Sequence, residues 1–250
     1  MQESEKTGFT VVRSQKEPVF RVSRAKRSPL DPIQRALPID QGWSRWDVPG
    51  HRTIYAGAPA ACSYAETLTD LRLRPSQNSL AGKKLSDFFD LEPDQPDDWI
   101  LAVLERDRVD SMNTDAISCE WRHDRKLHTL SLPAGGWFVQ LDTDASISAL
   151  RLGYGLDITV ADIYSEDRAT TVRIAEIVHA LVLDDGSLPH GILYRSKHGT
   201  NWNCWAIWLR ALDDGHAESS EPTRRKIESA ILANDPNLAE AATRLGLRVH

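Results

Sequence analysis

The chain of 250 residues is 41% hydrophobic and 26% charged, an ordinary globular balance sized for one main domain with a small appendage. Its net charge of -6 argues against bulk nucleic-acid binding but permits a local basic cleft for a phosphate ligand. No run approaches the roughly 18 apolar residues of a membrane span, and Met1 to Glu17 lacks the apolar core of a secretory signal, so a cytoplasmic protein without a membrane partner is expected. Cys62, Cys119 and Cys204 are odd in number and widely spaced, which fits free, mostly buried thiols rather than disulfides or a zinc finger.

Residues 1–17 are polar and show no sustained period. Val19, Phe20 and Val22 begin an apolar run that predicts a strand carrying Arg21. Residues 24–40 hold Pro29, Pro32 and Pro38 and read as a long ordered loop, because proline fixes φ and withholds a donor. Arg52 to Gly57 predicts a strand and Ser63 to Leu73 a helix. Pro75 to Asp98 reads as a surface excursion, followed by a short helix through Ile100, Leu101, Val103 and Leu104. Ile117 to Trp121, Leu127 to Leu132 and Trp137 to Asp142 read as three short strands of an antiparallel meander. Ile174, Ile177, Val178 and Leu181 fall at helical spacing, which predicts a helix over Asp167 to Leu183.

Gly191 to Arg195 and Cys204 to Leu209 then read as two closing strands. Asp213 to Pro222 is a polar linker, with two helical segments expected beyond it. In the second, Asp235 can cap, Pro236 suits the first helical position, Leu238, Ala241, Ala242 and Leu245 share a face, and Gly246 can terminate. A helix pair can read DNA, but such small apolar faces more often pack on their own domain, which is the reading favoured here. Strands crowd the middle without regular βαβ alternation, so the expected class is α+β. The division expected is a polar segment 1–17, a main domain 18–212, and a linker with a helical tail over 213–250.

Several chemistries lack their patterns. There is no H-E-x-x-H and no G-x-G-x-x-G; Gln77 stands where a P-loop ending at Gly82-Lys83 needs its first glycine, and Tyr194 replaces the first glycine of a nucleophile elbow. The histidines are scattered and no ligand cluster is visible, so no metal is expected.

Three segments stand out: Val19-Phe20-Arg21-Val22-Ser23; Gly42-Trp43-Ser44-Arg45-Trp46-Asp47-Val48-Pro49-Gly50 with Thr53-Ile54-Tyr55-Ala56-Gly57 and Ala65-Glu66; and Gly191-Ile192-Leu193-Tyr194-Arg195-Ser196. In order and local context they resemble the RES domain family, over about residues 18–210. The resemblance implies an ADP-ribosyltransferase-like α+β fold with a mixed, mostly antiparallel β core. It also implies NAD as substrate, cleaved at the nicotinamide glycosidic bond with phosphate or water as acceptor. A helix-turn-helix antitoxin of the Xre type is the implied partner, with this chain as the toxin.

The residues carry chemistry that fits. NAD contains a pyrophosphate, and the planar, permanently charged guanidinium forks of Arg21 and Arg45 suit it; the plainer reading is a pair of surface ion-pair arginines. Cleavage builds oxocarbenium character on the ribose, which the Glu66 carboxylate would stabilise. Ser196 could orient Glu66 or the ribose by hydrogen bonding, or be a strand-end serine bonded to backbone. Tyr55 could stack on nicotinamide or supply a hydroxyl, though a tyrosine on a buried strand is core at least as often, and Trp46 is the expected pocket wall. Trp202, Trp205 and Trp208 read as packing. Competing functions are transfer of ADP-ribose to a protein, a non-catalytic binding module, and, last, a serine hydrolase using Ser196 and His198.

Overall fold

The computed structural model describes residues 1–39, 42–69, 116–215 and 223–250. The expected excursion over Pro75 to Asp98 and the helix through Leu104 lie outside these residues, as does most of the linker. In chain order the elements are β1 (Gln2–Glu3), β2 (Thr10–Arg13), β3 (Pro18–Arg24), β4 (Thr53–Ala58), α1 (Ala60–Leu68), β5 (Ala116–Ile117), α2 (Cys119–His123), β6 (Arg125–Ser131) and β7 (Trp137–Gln140). They continue as α3 (Asp144–Tyr154), α4 (Val160–Ile163), α5 (Arg168–His179), β8 (Gly191–Arg195), β9 (Asn203–Trp208), α6 (Arg210–Asp213), β10 (Thr223–Ala230), α7 (Pro236–Leu245) and β11 (Arg248–Val249).

Nine strands form one sheet in the order β1-β2-β7-β8-β9-β4-β3-β6-β10. Within it β7 and β8 run parallel and the other pairs antiparallel. The molecule is therefore a mixed α and β structure with a mostly antiparallel sheet and flanking helices. The expected meander is not formed: β6 pairs with β3 and β10, while β7 pairs with β2 and β8. Ile117 to Trp121 is not one strand either, because Ser118 Oγ accepts from Trp121 N at 3.1 Å and starts α2.

Period-two alternation gives the sheet two apolar faces. Along β8 and β9, Ile192, Tyr194, Cys204, Ala206 and Trp208 join the cluster that also holds residues of α1, α5 and α7. Leu193, Trp205 and Ile207 face the other way, with Val19 and Ile54. The three tryptophans at 202, 205 and 208 are all buried packing. Gly191 is required by the closeness of β8 to β9, since a Cβ there would fall 2.0 Å from Ala206 O.

Both ends of the chain belong to this architecture. β1 and β2 extend one edge of the sheet and β10 the other, so the first of the two expected tail helices is a strand. The second is α7, capped by Asp235 and ended by Gly246 at φ 71. Its Leu238, Ala241, Ala242 and Leu245 are buried in the same cluster as Ala61, Ala65 and Leu68 of α1. Asp235 does two things at once: Oδ1 accepts from Asn237 N at 2.9 Å, and Oδ2 accepts from the buried Tyr64 hydroxyl at 2.7 Å. Burial, then the bond and charge of Asp235, raise the pKa of Tyr64, so the phenol stays a donor.

Asp235→Ala removes a cap worth about 1 kcal/mol and strands a buried phenol at about 1–3 kcal/mol. Urea unfolding is expected to show both losses, and adding Tyr64→Phe to Asp235→Ala is expected to recover part of them. A double variant no more stable than Asp235→Ala would disprove the coupling.

Candidate active site

Helix α1 begins immediately after β4 and lies close against it. A Cβ on Gly57 would meet Cys62 Sγ at 2.9 Å, and Ser63 Oγ donates to Phe20 O of β3. This seating brings Glu66, one turn further along α1, to the end of β8. There Ser196 Oγ donates to Glu66 Oε1 at 2.7 Å. On the other side, Arg45 Nη2 stands 3.7 Å from Glu66 Oε2, and its guanidinium lies 5.3 Å from the centre of the Tyr194 ring.

Arg21, Arg45, Tyr55 and Glu66 line a single cavity of about 630 Å³, within the size range of small-molecule sites. Ser196 is buried directly behind Glu66 and bonded to it. The cavity also takes Arg168 and Lys197, so among the described residues four cationic side chains face it with two carboxylates, Glu66 and Glu166. A chain of overall negative charge thus carries a locally cationic cleft.

The loop bearing Arg45 is pinned by Asp47, two residues further along it. Its buried carboxylate accepts from the Tyr55 hydroxyl, Arg35 Nε and Ser44 N, each at 2.8 Å. The Tyr55 hydroxyl in turn accepts from Trp46 N at 3.1 Å. Burial, then the charge of Asp47, hold the Tyr55 pKa well above its ordinary value. That hydroxyl is committed to the loop and is not one offered to a substrate; Tyr55 positions Arg45. Trp46 is fully buried beneath Tyr194, with ring centres 5.7 Å apart, so the cavity wall is Trp43 and Tyr194 instead. The signal for Asp47 was available: an acidic residue between tryptophan and Val-Pro-Gly has few ways to be buried except as a loop anchor.

Two guanidinium groups hold unused donors. Among the described residues, Arg21 Nε and Arg45 Nη1 are buried without a hydrogen-bond partner. Arg21 Nη1 donates to Tyr55 O at 3.1 Å, and desolvation lowers its pKa to about 10, opposed by Tyr55. Burial is the largest single influence on Arg45 and works against its charge, but Tyr194, Glu66, Cys204 and Tyr55 together outweigh it and raise its pKa. Unsatisfied, desolvated guanidinium groups on a cavity wall suit an anionic ligand.

The remaining candidates resolve simply. His198 Nε2 lies 2.8 Å from Thr69 Oγ1, while Ser196 Oγ donates to Glu66 and accepts from His198 N at 3.1 Å; no Ser-His pair is formed. Arg168, missed in the sequence, donates from Nε to Trp43 O at 3.0 Å and so ties α5 to the cavity wall. Cys62 and Cys204 are free and buried with Sγ atoms 3.4 Å apart, and Cys119 is free and exposed. No described helix is long and apolar enough to cross a membrane. Comparison with family models, curated proteins and solved structures finds no match for the chain.

Arg21 charged in the fold costs stability. Its folded pKa lies below its unfolded one, so the cost is complete at neutral pH and fades as pH rises through about 10. Arg21→Met is therefore expected to leave thermal stability unchanged or raise it by about 1–2 kcal/mol, while weakening anion binding. A large loss of stability would mean that Arg21 is a structural pillar.

Proposed function

We propose that the chain cleaves the nicotinamide N-glycosidic bond of NAD and passes ADP-ribose to phosphate or water, on an ADP-ribosyltransferase-like fold of the RES type. The observation that carries this reading is the Glu66 carboxylate, held by Ser196 at 2.7 Å and flanked by Arg45 at 3.7 Å, on the wall of a cationic cavity. The ordered resemblance of the motifs supplies the substrate. Arg21 and Arg45, with donors to spare, hold the pyrophosphate. Glu66 lies against the ribose and stabilises positive charge as the bond to nicotinamide lengthens. The departing pyridinium becomes neutral as it takes the bonding pair, so no proton has to be delivered to it. Ser196 orients the carboxylate from behind. Transfer to a protein acceptor uses the same first step, and exclusion of water decides between acceptors. A toxin role with an Xre-type antitoxin is part of the same proposal and rests on the resemblance alone.

The roles separate kinetically. Glu66→Gln is expected to lower kcat for NAD cleavage by roughly 10²-fold or more with little change in NAD affinity. Ser196→Ala is expected to lower kcat by roughly tenfold, the scale of one lost hydrogen bond to a charged group. Arg45→Ala is expected to raise KM by roughly 10- to 100-fold. Steady-state kinetics on folded variants check all three, and undiminished cleavage by Glu66→Gln would remove the carboxylate from the mechanism.

A further inference from the structure

At the opposite end of the β4–β9 pair from the cavity, three residues far apart in sequence converge. The register pairs Thr53 with Trp208 and Gly57 with Cys204, so His51, just before β4, stands near the end of β9 and α6, while the cavity lines the other end. His51 Nε2 is 2.6 Å from Asp214 Oδ1, and His179 Nε2, from the last residue of α5, is 3.5 Å from Asp214 Oδ2. One ligand atom from each of the three residues lies within 4.8 Å of the others. This is the arrangement whose absence the scattered histidines suggested; it arises only on folding.

The hydrogen-bonding logic at His51 is informative. Its Nδ1 lies 2.7 Å from Pro49 O, and a carbonyl oxygen can only accept, so Nδ1 carries the proton. In the neutral ring Nε2 is then a bare lone pair. It points at Asp214 Oδ1, which as a carboxylate oxygen is also an acceptor. At 2.6 Å the two acceptors are spaced for a shared proton; ligands of one tetrahedral zinc stand about 3.3 Å apart, so an ion replacing that proton would part them by less than an ångström. A histidine donating one ring nitrogen to a backbone carbonyl and presenting the other to a shared point is also how metal-bound imidazoles are oriented.

We propose that His51, His179 and Asp214 form a binding site for a divalent transition-metal ion of the zinc type. Two imidazoles and a carboxylate are a ligand set that zinc accepts, with solvent completing four-coordination. The three side chains are partly exposed, although His179 Nε2 itself is buried. Arg210 organises the site from outside: Nη1 stands 3.3 Å from Asp214 Oδ2, and Nη2 donates to His179 O at 2.6 Å. The ion would tie the start of β4, the end of α5 and the end of α6 together, well away from Glu66, so its role is to brace the fold.

The test uses untagged, chelator-treated full-length protein in a Cys119→Ala background, since Cys119 Sγ and His123 Nδ1 lie 3.6 Å apart on the surface and could bind zinc on their own. Zinc titration by calorimetry is expected to give one ion per chain and a rise in melting temperature. His51→Gln and Asp214→Asn, verified as folded by circular dichroism, are each expected to weaken binding by roughly 100-fold or more and to abolish that rise, with cobalt substitution losing its tetrahedral absorption in parallel. Failure of the parent protein to bind zinc, or binding unchanged in both variants, overturns the proposal. Detection of a proton on His51 Nε2 by NMR in the zinc-saturated protein overturns it equally, since the second proton and the metal occupy the same lone pair.

Discussion

The hydrogen bond from Ser196 to Glu66 joins the end of β8 to the last turn of α1, and the candidate site depends on it. It can form only because α1 is pressed onto the sheet at Gly57 and Ser63. From the far side α7 covers α1, with Asp235 holding the Tyr64 hydroxyl. The C-terminal helix therefore bears on the position of Glu66 without touching the cavity. Residues that looked like an appendage are part of the scaffold that aims one carboxylate.

Charge organises the rest of the cavity. Arg45 rides on a loop whose geometry is set by Asp47, itself satisfied by three donors from Tyr55, Arg35 and Ser44. Arg21 comes from the neighbouring strand β3 and is anchored through only part of its guanidinium. A guanidinium desolvated in this way is poorly compensated by the protein alone and well compensated by a phosphate oxygen. Folding holds the cations in place at a cost that a bound anion would recover. Glu66 adds the opposite charge at one point of the same wall, which suits a ligand that is anionic along its length and becomes cationic at one atom during reaction.

Much of the local structure was legible in the sequence, and the reasons differ by element. Strands β3, β4, β8 and β9 announced themselves by β-branched and aromatic runs, and α5 and α7 by helical spacing together with Asp167, Asp235 and Gly246 at their ends. Helix α3, not among the expected elements, has its signals at the two ends alone, with Thr143 capping Ser146 N and Gly155 closing in the left-handed conformation. β10 was not readable, because its place is decided by pairing with β6 at the sheet edge rather than by its own composition. Sheet order was likewise hidden: long-range pairing is a tertiary choice that local period does not encode. At the site, motif order brought out Arg21, Arg45, Glu66 and Ser196, whereas the anchoring role of Asp47, the burial of Trp46 and the His51–His179–Asp214 cluster exist only once distant segments meet.

The most direct measurement of the central claim is product identification. Purified protein is incubated with NAD, with and without inorganic phosphate, and the products are resolved by mass. NAD cleavage predicts free nicotinamide in both cases, with ADP-ribose when water is the acceptor and its phosphorylated counterpart when phosphate is. Intact NAD under both conditions, with the protein folded and the cavity residues unaltered, would contradict it.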